Sequence, residues 1–157
     1  MHYYFAYGSN MNPERVRQRK LPFRDYQFGT LNHYSLVFNK RSTIYPGAAS
    51  ANVQVAPNQT VEGLLYALHD EDSISAMDPF EGYPVRYDRL LLPVVTEKEV
   101  VNSWVYIANQ EYIEEGLRPA SWYLQHLLAG RPLLSESYYQ QLAATECLPD
   151  SDVEPRR

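Results

Sequence analysis

An α+β domain is what this sequence predicts, and three observations lead there. Strand-like segments come in consecutive pairs through residues 2–108. Two helix-like segments then close the chain, at 119–129 and 135–147. With 157 residues, 45% of them hydrophobic and 21% charged, the chain can bury a real core and is too apolar for disorder. No repeat, low-complexity tract or linker divides it. One domain is therefore expected over 1–148, followed by a polar, poorly ordered tail at 149–157.

The elements follow in order. Residues 2–7 are apolar and aromatic and predict a buried strand. It ends in Tyr7-Gly8-Ser9-Asn10. Gly8 permits φ angles forbidden to a side chain, and Ser9 and Asn10 favour turns by bonding nearby backbone. Asn12-Pro13-Glu14 then starts a helix over 13–19, with Asn as cap, Pro at the first position and an acid in the first turn. Phe23–Thr30 and His33–Asn39 predict two strands joined by a turn at Leu31-Asn32. Residues 44–49 read as a loop through Pro46 and Gly47. A second pair is expected at 51–55 and 61–68, linked by Pro57-Asn58-Gln59-Thr60. An acidic first turn predicts a helix over 70–77, and 79–84 reads as a loop. The last strand pair is 87–96 and 101–108, around Glu97-Lys98-Glu99. Pro119 opens a helix that stops at Gly130, and Ser135 caps the final one.

The candidate chemistry sits in two places. A strand feeding a Gly-Ser-Asn turn and a helix exposes unpaired N–H groups, which suit an anion, although a plain connection has the same local pattern. In Met77–Arg89, Glu81 lies between Phe80 and Gly82, near Tyr83 and Pro84. Apolar neighbours would desolvate it, raise its pKa and equip it as a general base; otherwise it is a loop glutamate facing water. Asp78 reads as a solvent group at a helix C-terminus, and Arg86 and Arg89 as exposed or paired with Asp88. The basic stretch Arg15–Arg24 reads as a solvated helix face. His2, His33, His69 and His126 share no ligand spacing, so no metal site is expected. Cys147, the single cysteine, reads as a packed thiol late in the last helix. The 14 tyrosines suit the core boundary, with a few lining a polar cavity.

Taken in order, YFAYGSNM, EGLLYAL, DPFEGYP and SWVYIAN resemble the γ-glutamylcyclotransferase family, which includes the avirulence-induced-gene-like proteins. The closing PASWYLQHLLAG and SESYYQQLAA are similar to that family's final helix pair. The resemblance covers roughly 3–147 and implies a small mixed β-barrel flanked by helices. It implies that Tyr7, Gly8, Ser9 and Asn10 hold the α-carboxylate of a γ-glutamyl group, and that Tyr106 lines the pocket. It assigns Glu81 the acid/base role. The reaction implied is attack of the substrate's α-amine on its own γ-amide, releasing 5-oxoproline and a free amine or amino acid. Whether the turn's amides serve the carboxylate, the oxyanion or both stays open. So does the leaving group, because Pro84-Val85-Arg86-Tyr87 varies among subfamilies. A specialised enzyme that removes a γ-glutamyl protecting group, and a non-catalytic binding module, are the alternatives.

No cofactor or metal is expected. The net charge of −5 and the lack of a Lys/Arg cluster argue against nucleic acid as a partner. No apolar run approaches the ~20 residues of a membrane span. A strand-like start without signal-peptide organisation suggests a cytoplasmic protein, monomeric or homodimeric, acting on a small molecule.

Overall fold

The computed structural model describes residues 2–149. Five strands close into a barrel in the order β1-β3-β2-β4-β5. They are β1 (His2–Ala6), β2 (Phe23–Arg41), β3 (Ala49–Leu68), β4 (Tyr87–Val95) and β5 (Val100–Ala108). β1 closes the barrel: it pairs antiparallel with β3, Ala6 opposite Leu64, and parallel with β5, Tyr4 opposite Trp104. The barrel is therefore mixed, as expected. Phe5, Leu31, Val53, Leu65, Val94 and Val105 form a cluster to which all five strands contribute, the mark of a filled interior. The other face of β1 turns Tyr4 and Ala6 toward a second cluster, completed by the helices through Val16, Leu124, Leu127 and Leu142. That alternation is the period-2 pattern of a strand covered on both faces.

The helices are α1 (Pro13–Gln18), α2 (Asp78–Glu81), α3 (Ser121–Leu128) and α4 (Glu136–Ala143). The start of α1 is as expected: Pro13 is in the first turn and the Asn12 side chain accepts from the Glu14 N–H at 3.1 Å. Ser135 caps α4 by accepting from the Tyr138 N–H at 3.3 Å. No helix among the described residues is long and apolar enough to cross a membrane.

Several expectations are corrected. The four segments assigned to two early strand pairs are two long strands, β2 and β3. At the expected turns the ladder slips instead of ending. Its register jumps from Asn32↔Thr60 to Tyr34↔Val55, leaving residues 56–59 bulged opposite His33. His33 and Asn58 both take positive φ there, so the turn residues shape a bulge that bends the hairpin. Residues 70–77 do not form an α-helix. Asp70 accepts from the Ser73 hydroxyl and the Asp72 N–H, which tightens the segment into a 3₁₀ turn at Ser73–Ala76. The expected loop at 79–84 begins inside α2. The last helix ends at Ala143, so Cys147 lies beyond it, half-buried against the outer core. Of the tail expected at 149–157, all but Pro149 lies outside the described residues.

Candidate active site

The site lies at one end of the barrel. The C-terminal ends of β1 and β5, the start of β4 and the first residues of β3 meet there. The structure brings every residue singled out in the sequence into one recess: Tyr7, Gly8, Ser9, Asn10, Glu81 and Tyr106. The recess itself is only about 20 Å³, roughly the space of one water. It opens into a cleft of about 770 Å³ that shares Ser9, Glu81, Tyr87 and Tyr123 with it.

The turn after β1 is built to present backbone. Ser9–Met11 form one 3₁₀ turn, with the Met11 N–H bonded to the Gly8 carbonyl at 2.9 Å. No acceptor for the N–H groups of Gly8, Ser9 or Asn10 is found among the described residues. The side chains of this turn are occupied by the protein. Asn10 donates to the Tyr4 hydroxyl at 2.8 Å and accepts from Arg19 at 3.1 Å, while its carbonyl accepts from Tyr66 at 2.7 Å. The Ser9 hydroxyl accepts from Arg15 Nε at 3.1 Å. The Tyr7 hydroxyl donates to the Tyr106 carbonyl at 2.6 Å and ties the turn to β5.

Gly8 has a different role from the one expected. Its φ is −110°, so no left-handed conformation is involved. What restricts a side chain is space: a Cβ would lie a tight 3.2 Å from Ala51 Cβ and 3.3 Å from the Tyr123 hydroxyl.

Glu81 is the last residue of α2, and its side chain is 18% exposed. Gly82 follows at φ +78° and caps α2, its N–H bonding the Asp78 carbonyl at 2.9 Å. A side chain there would also collide with the Arg86 guanidinium. Burial pushes the Glu81 carboxyl above its usual range, against the opposing pull of Arg19, Lys40, Arg15 and Arg86. Arg19 lies 3.6 Å from the carboxylate and stacks over Phe80. The desolvation expected at Glu81 is present, but it comes from the tyrosine-lined recess, since Phe80 is exposed; the surrounding cations were not expected.

Five tyrosines line the recess: Tyr4, Tyr7, Tyr87, Tyr106 and Tyr123. Burial raises the pKa of each, so all stay neutral at ordinary pH. Tyr87 donates to the Ala51 carbonyl at 2.7 Å, and Tyr123 accepts from the Ala51 N–H at 2.9 Å. The Tyr106 hydroxyl donates to Asp78 Oδ1 at 2.7 Å.

Asp78 is not a solvent group at a helix end. It begins α2, and Arg89 grips both its oxygens at 2.9 and 3.2 Å. Arg89 is itself held between the rings of Tyr83 and Trp104, each 4.4 Å away. Nor is the basic stretch merely solvated: Arg15 and Arg19 line the cleft. Their i, i+4 spacing on a short helix beside the turn was the available signal. Lys40, Tyr87 and Tyr123 carried no such local signal. Among the described residues no group of three His, Cys, Asp or Glu side chains could hold a metal ion.

A five-stranded mixed barrel flanked by a few helices is the γ-glutamylcyclotransferase-like fold, and solved structures share it. A protein described as a γ-glutamyl cyclotransferase superposes with TM-score 0.80 at 21% identity, covering 94% of this chain and 89% of its own. An uncharacterized protein from Homo sapiens gives 0.82 at 22%, covering 99% and 92%. A γ-glutamyl cyclotransferase specific to glutathione, from yeast, gives 0.64 at 12%, covering 90% and 93%. Comparison with curated sequences gives no match. The family model for γ-glutamyl cyclotransferase, AIG2-like, matches residues 4–124, and this chain belongs to that family.

Proposed function

We propose that this protein is a γ-glutamylcyclotransferase, with Glu81 as its acid/base and the turn Tyr7–Asn10 as its carboxylate cradle. One observation carries the reading. In a chain of this family, a half-buried glutamate with a raised pKa faces the same recess as three backbone N–H groups for which no acceptor is found among the described residues.

The substrate's α-carboxylate takes the N–H groups of Gly8, Ser9 and Asn10. That fixes the α-amine beside Glu81 and folds the chain so that amine and γ-carbonyl meet. Well-oriented intramolecular attack of this kind is worth roughly 7–11 kcal/mol. The nitrogen forms a bond to the γ-carbon, and the amide C–N bond breaks. The α-ammonium gives up two protons, keeping one as the lactam N–H. The leaving nitrogen takes both and departs as an ammonium. Glu81 carries both protons one at a time, accepting each from the α-nitrogen and passing it to the departing nitrogen. A carboxyl with a raised pKa suits both halves, since it is a stronger base than a solvated one and its conjugate acid is better placed to return the proton. The five phenols, all neutral, surround this transfer without competing for the proton.

The test is release of 5-oxoproline from a panel of γ-glutamyl dipeptides and γ-glutamyl amines. Turnover of at least one is expected. Glu81→Gln keeps the shape, removes the base and should lower turnover by roughly 10²–10⁴-fold with the fold intact. Release of 5-oxoproline by the variant at the wild-type rate would remove Glu81 from the mechanism.

A further inference from the structure

The cleft outside Glu81 concentrates positive charge in a chain whose net charge is −5. Arg15, Arg19, Lys40 and Arg86 line it, and Glu81 is the single acid in its lining. Two of the four cations serve the protein: Arg15 holds Ser9, and Arg19 holds Asn10 and Glu81. For the head groups of Lys40 and Arg86, no hydrogen bond or ion pair is found among the described residues.

Lys40 is the more unusual. It sits where the β2–β3 register shifts, between Val37 and Lys40, and is only 5% exposed. Its ammonium lies 5.6 Å from the Tyr87 ring and 5.8 Å from the Tyr112 ring. Two aromatic faces do not replace the water such a group gives up on burial. Burial and the nearby Arg86 bring its pKa down to about 8, so it is still largely charged near neutrality. A buried, charged donor facing a cleft lacks an acceptor that the protein does not supply. The cleft, at about 770 Å³, also has the size of a site for a complete small ligand and exceeds what a glutamyl group needs.

We propose that the cleft selects γ-glutamyl compounds whose leaving amine is an acidic amino acid, its two carboxylates taken by Lys40 and Arg86. This rests on the cyclotransferase reading for the reaction, but the subsite stands on its own geometry. The glutamyl α-carboxylate is held by the turn, so the charge read by Lys40 belongs to the leaving group.

The experiment compares γ-glutamyl-glutamate with γ-glutamyl-glutamine, which have nearly the same shape and differ by one charge. kcat/KM for 5-oxoproline release is measured on the wild type, Lys40→Met and Arg86→Gln. In parallel, Kd for both compounds is measured by calorimetry on Glu81→Gln, alone and combined with each of these changes. The acid should be preferred over the amide by roughly 10- to 100-fold, the value of a charge-assisted contact. The preference should shrink with salt and fall toward parity in the variant that loses the cation holding the side-chain carboxylate, while loss of the other cation weakens both compounds alike. Arg86→Gln serves if Lys40→Met fails to fold, and the wild-type comparison needs no variant. Equal kcat/KM and equal Kd for the two compounds would overturn the subsite while leaving the reaction intact. An acid preference in binding without any 5-oxoproline would support the subsite and sink the reaction. A preference unmoved by either substitution would overturn the assignment to these residues, and failure to bind either compound would overturn it too.

Discussion

Burial disfavours the charge on Glu81, and both activity and stability should show it. Its carboxyl titrates above the ordinary value of 4.5, chiefly because it is buried. kcat/KM should therefore fall on the acid side along a single-proton limb centred above 4.5, and that limb should be missing from the residual activity of Glu81→Gln. An unchanged limb in the variant would mean that another group is the base. The same shift links to folding. A carboxyl whose pKa is higher in the folded state adds stability below its unfolded value, and that stability is lost as pH rises through the folded one. Glu81→Gln should thus melt at a higher temperature than the wild type at pH 7–8, with the gain disappearing toward pH 4. A lower Tm for the variant at pH 7 would show that the surrounding cations outweigh burial. Gly8 is constrained by space. Gly8→Val would drive a side chain into Ala51 and the Tyr123 hydroxyl, displacing the turn, with a cost in kcat/KM of roughly 10²-fold. Ser9→Ala removes only the contact to Arg15 and should be much milder. Steady-state kinetics on the two variants decides; equal damage would assign the contact to the Ser9 hydroxyl.

At the scale of elements, α2 matters most, because four residues cannot hold themselves in place as a helix. Its first residue is clamped instead. Asp78 accepts from Tyr106 on β5 and from Arg89 on β4, so the helix carrying Glu81 is anchored to two barrel strands. Under the proposed mechanism Tyr106 would be a positioning residue, since its hydroxyl donates to Asp78. Tyr106→Phe should lower kcat by roughly tenfold or more while leaving KM within about twofold, because it loosens Glu81 without touching the carboxylate cradle. Asp78→Asn should reproduce the pattern. A rise in KM in Tyr106→Phe that Asp78→Asn does not share would instead put the hydroxyl on the substrate. The turn after β1 is held in a comparable way, through Tyr7 to β5 and through Asn10 to Tyr4, Tyr66 and Arg19. Both halves of the site are thus short, weak elements fixed by bonds to strands.

For the whole molecule, closure of the barrel puts these halves side by side. β1 runs parallel to β5 and antiparallel to β3, which carries its C-terminal turn to the end where β5 finishes and β4 starts. Close approach at β1 depends on Gly63. It pairs with Gly29, and a Cβ on it would collide with the Ala6 carbonyl and meet the Phe5 ring at 2.9 Å. Neither backbone nor a buried ring can yield, so Gly63→Ala should destabilise the fold by roughly 1–3 kcal/mol, or more, in urea unfolding. Because the distortion would fall on the residues leading into Tyr7, activity should drop before the fold does. Wild-type stability in this variant would mean that β1 has slack in the barrel.

Much of this was readable along the chain, and the readable part is local. The strand–turn–helix from Tyr4 to Glu14 depends on neighbours within four residues: an apolar and aromatic run, an Asn cap and a Pro in the first turn. So do the Ser135 cap and the acid between Phe80 and Gly82. Residues whose partners are distant behaved otherwise. Leu31-Asn32 and Pro57–Thr60 carry turn chemistry, yet each faces a strand that continues the ladder, so they bend the hairpin without ending it. Asp78 and Arg15 look solvated in isolation, because burial and charge pairing are set by which elements pack above them. Lys40 has no local mark at all: only the register shift in β2 and the rings of Tyr87 and Tyr112 make its ammonium a buried donor facing the cleft. The sequence by itself determined the strand–turn–helix half of the site and marked Glu81, but not the short helix that carries it. Closure of the barrel decided which charges surround them, because electrostatics in a cleft depends on distances through space that sequence separation does not encode.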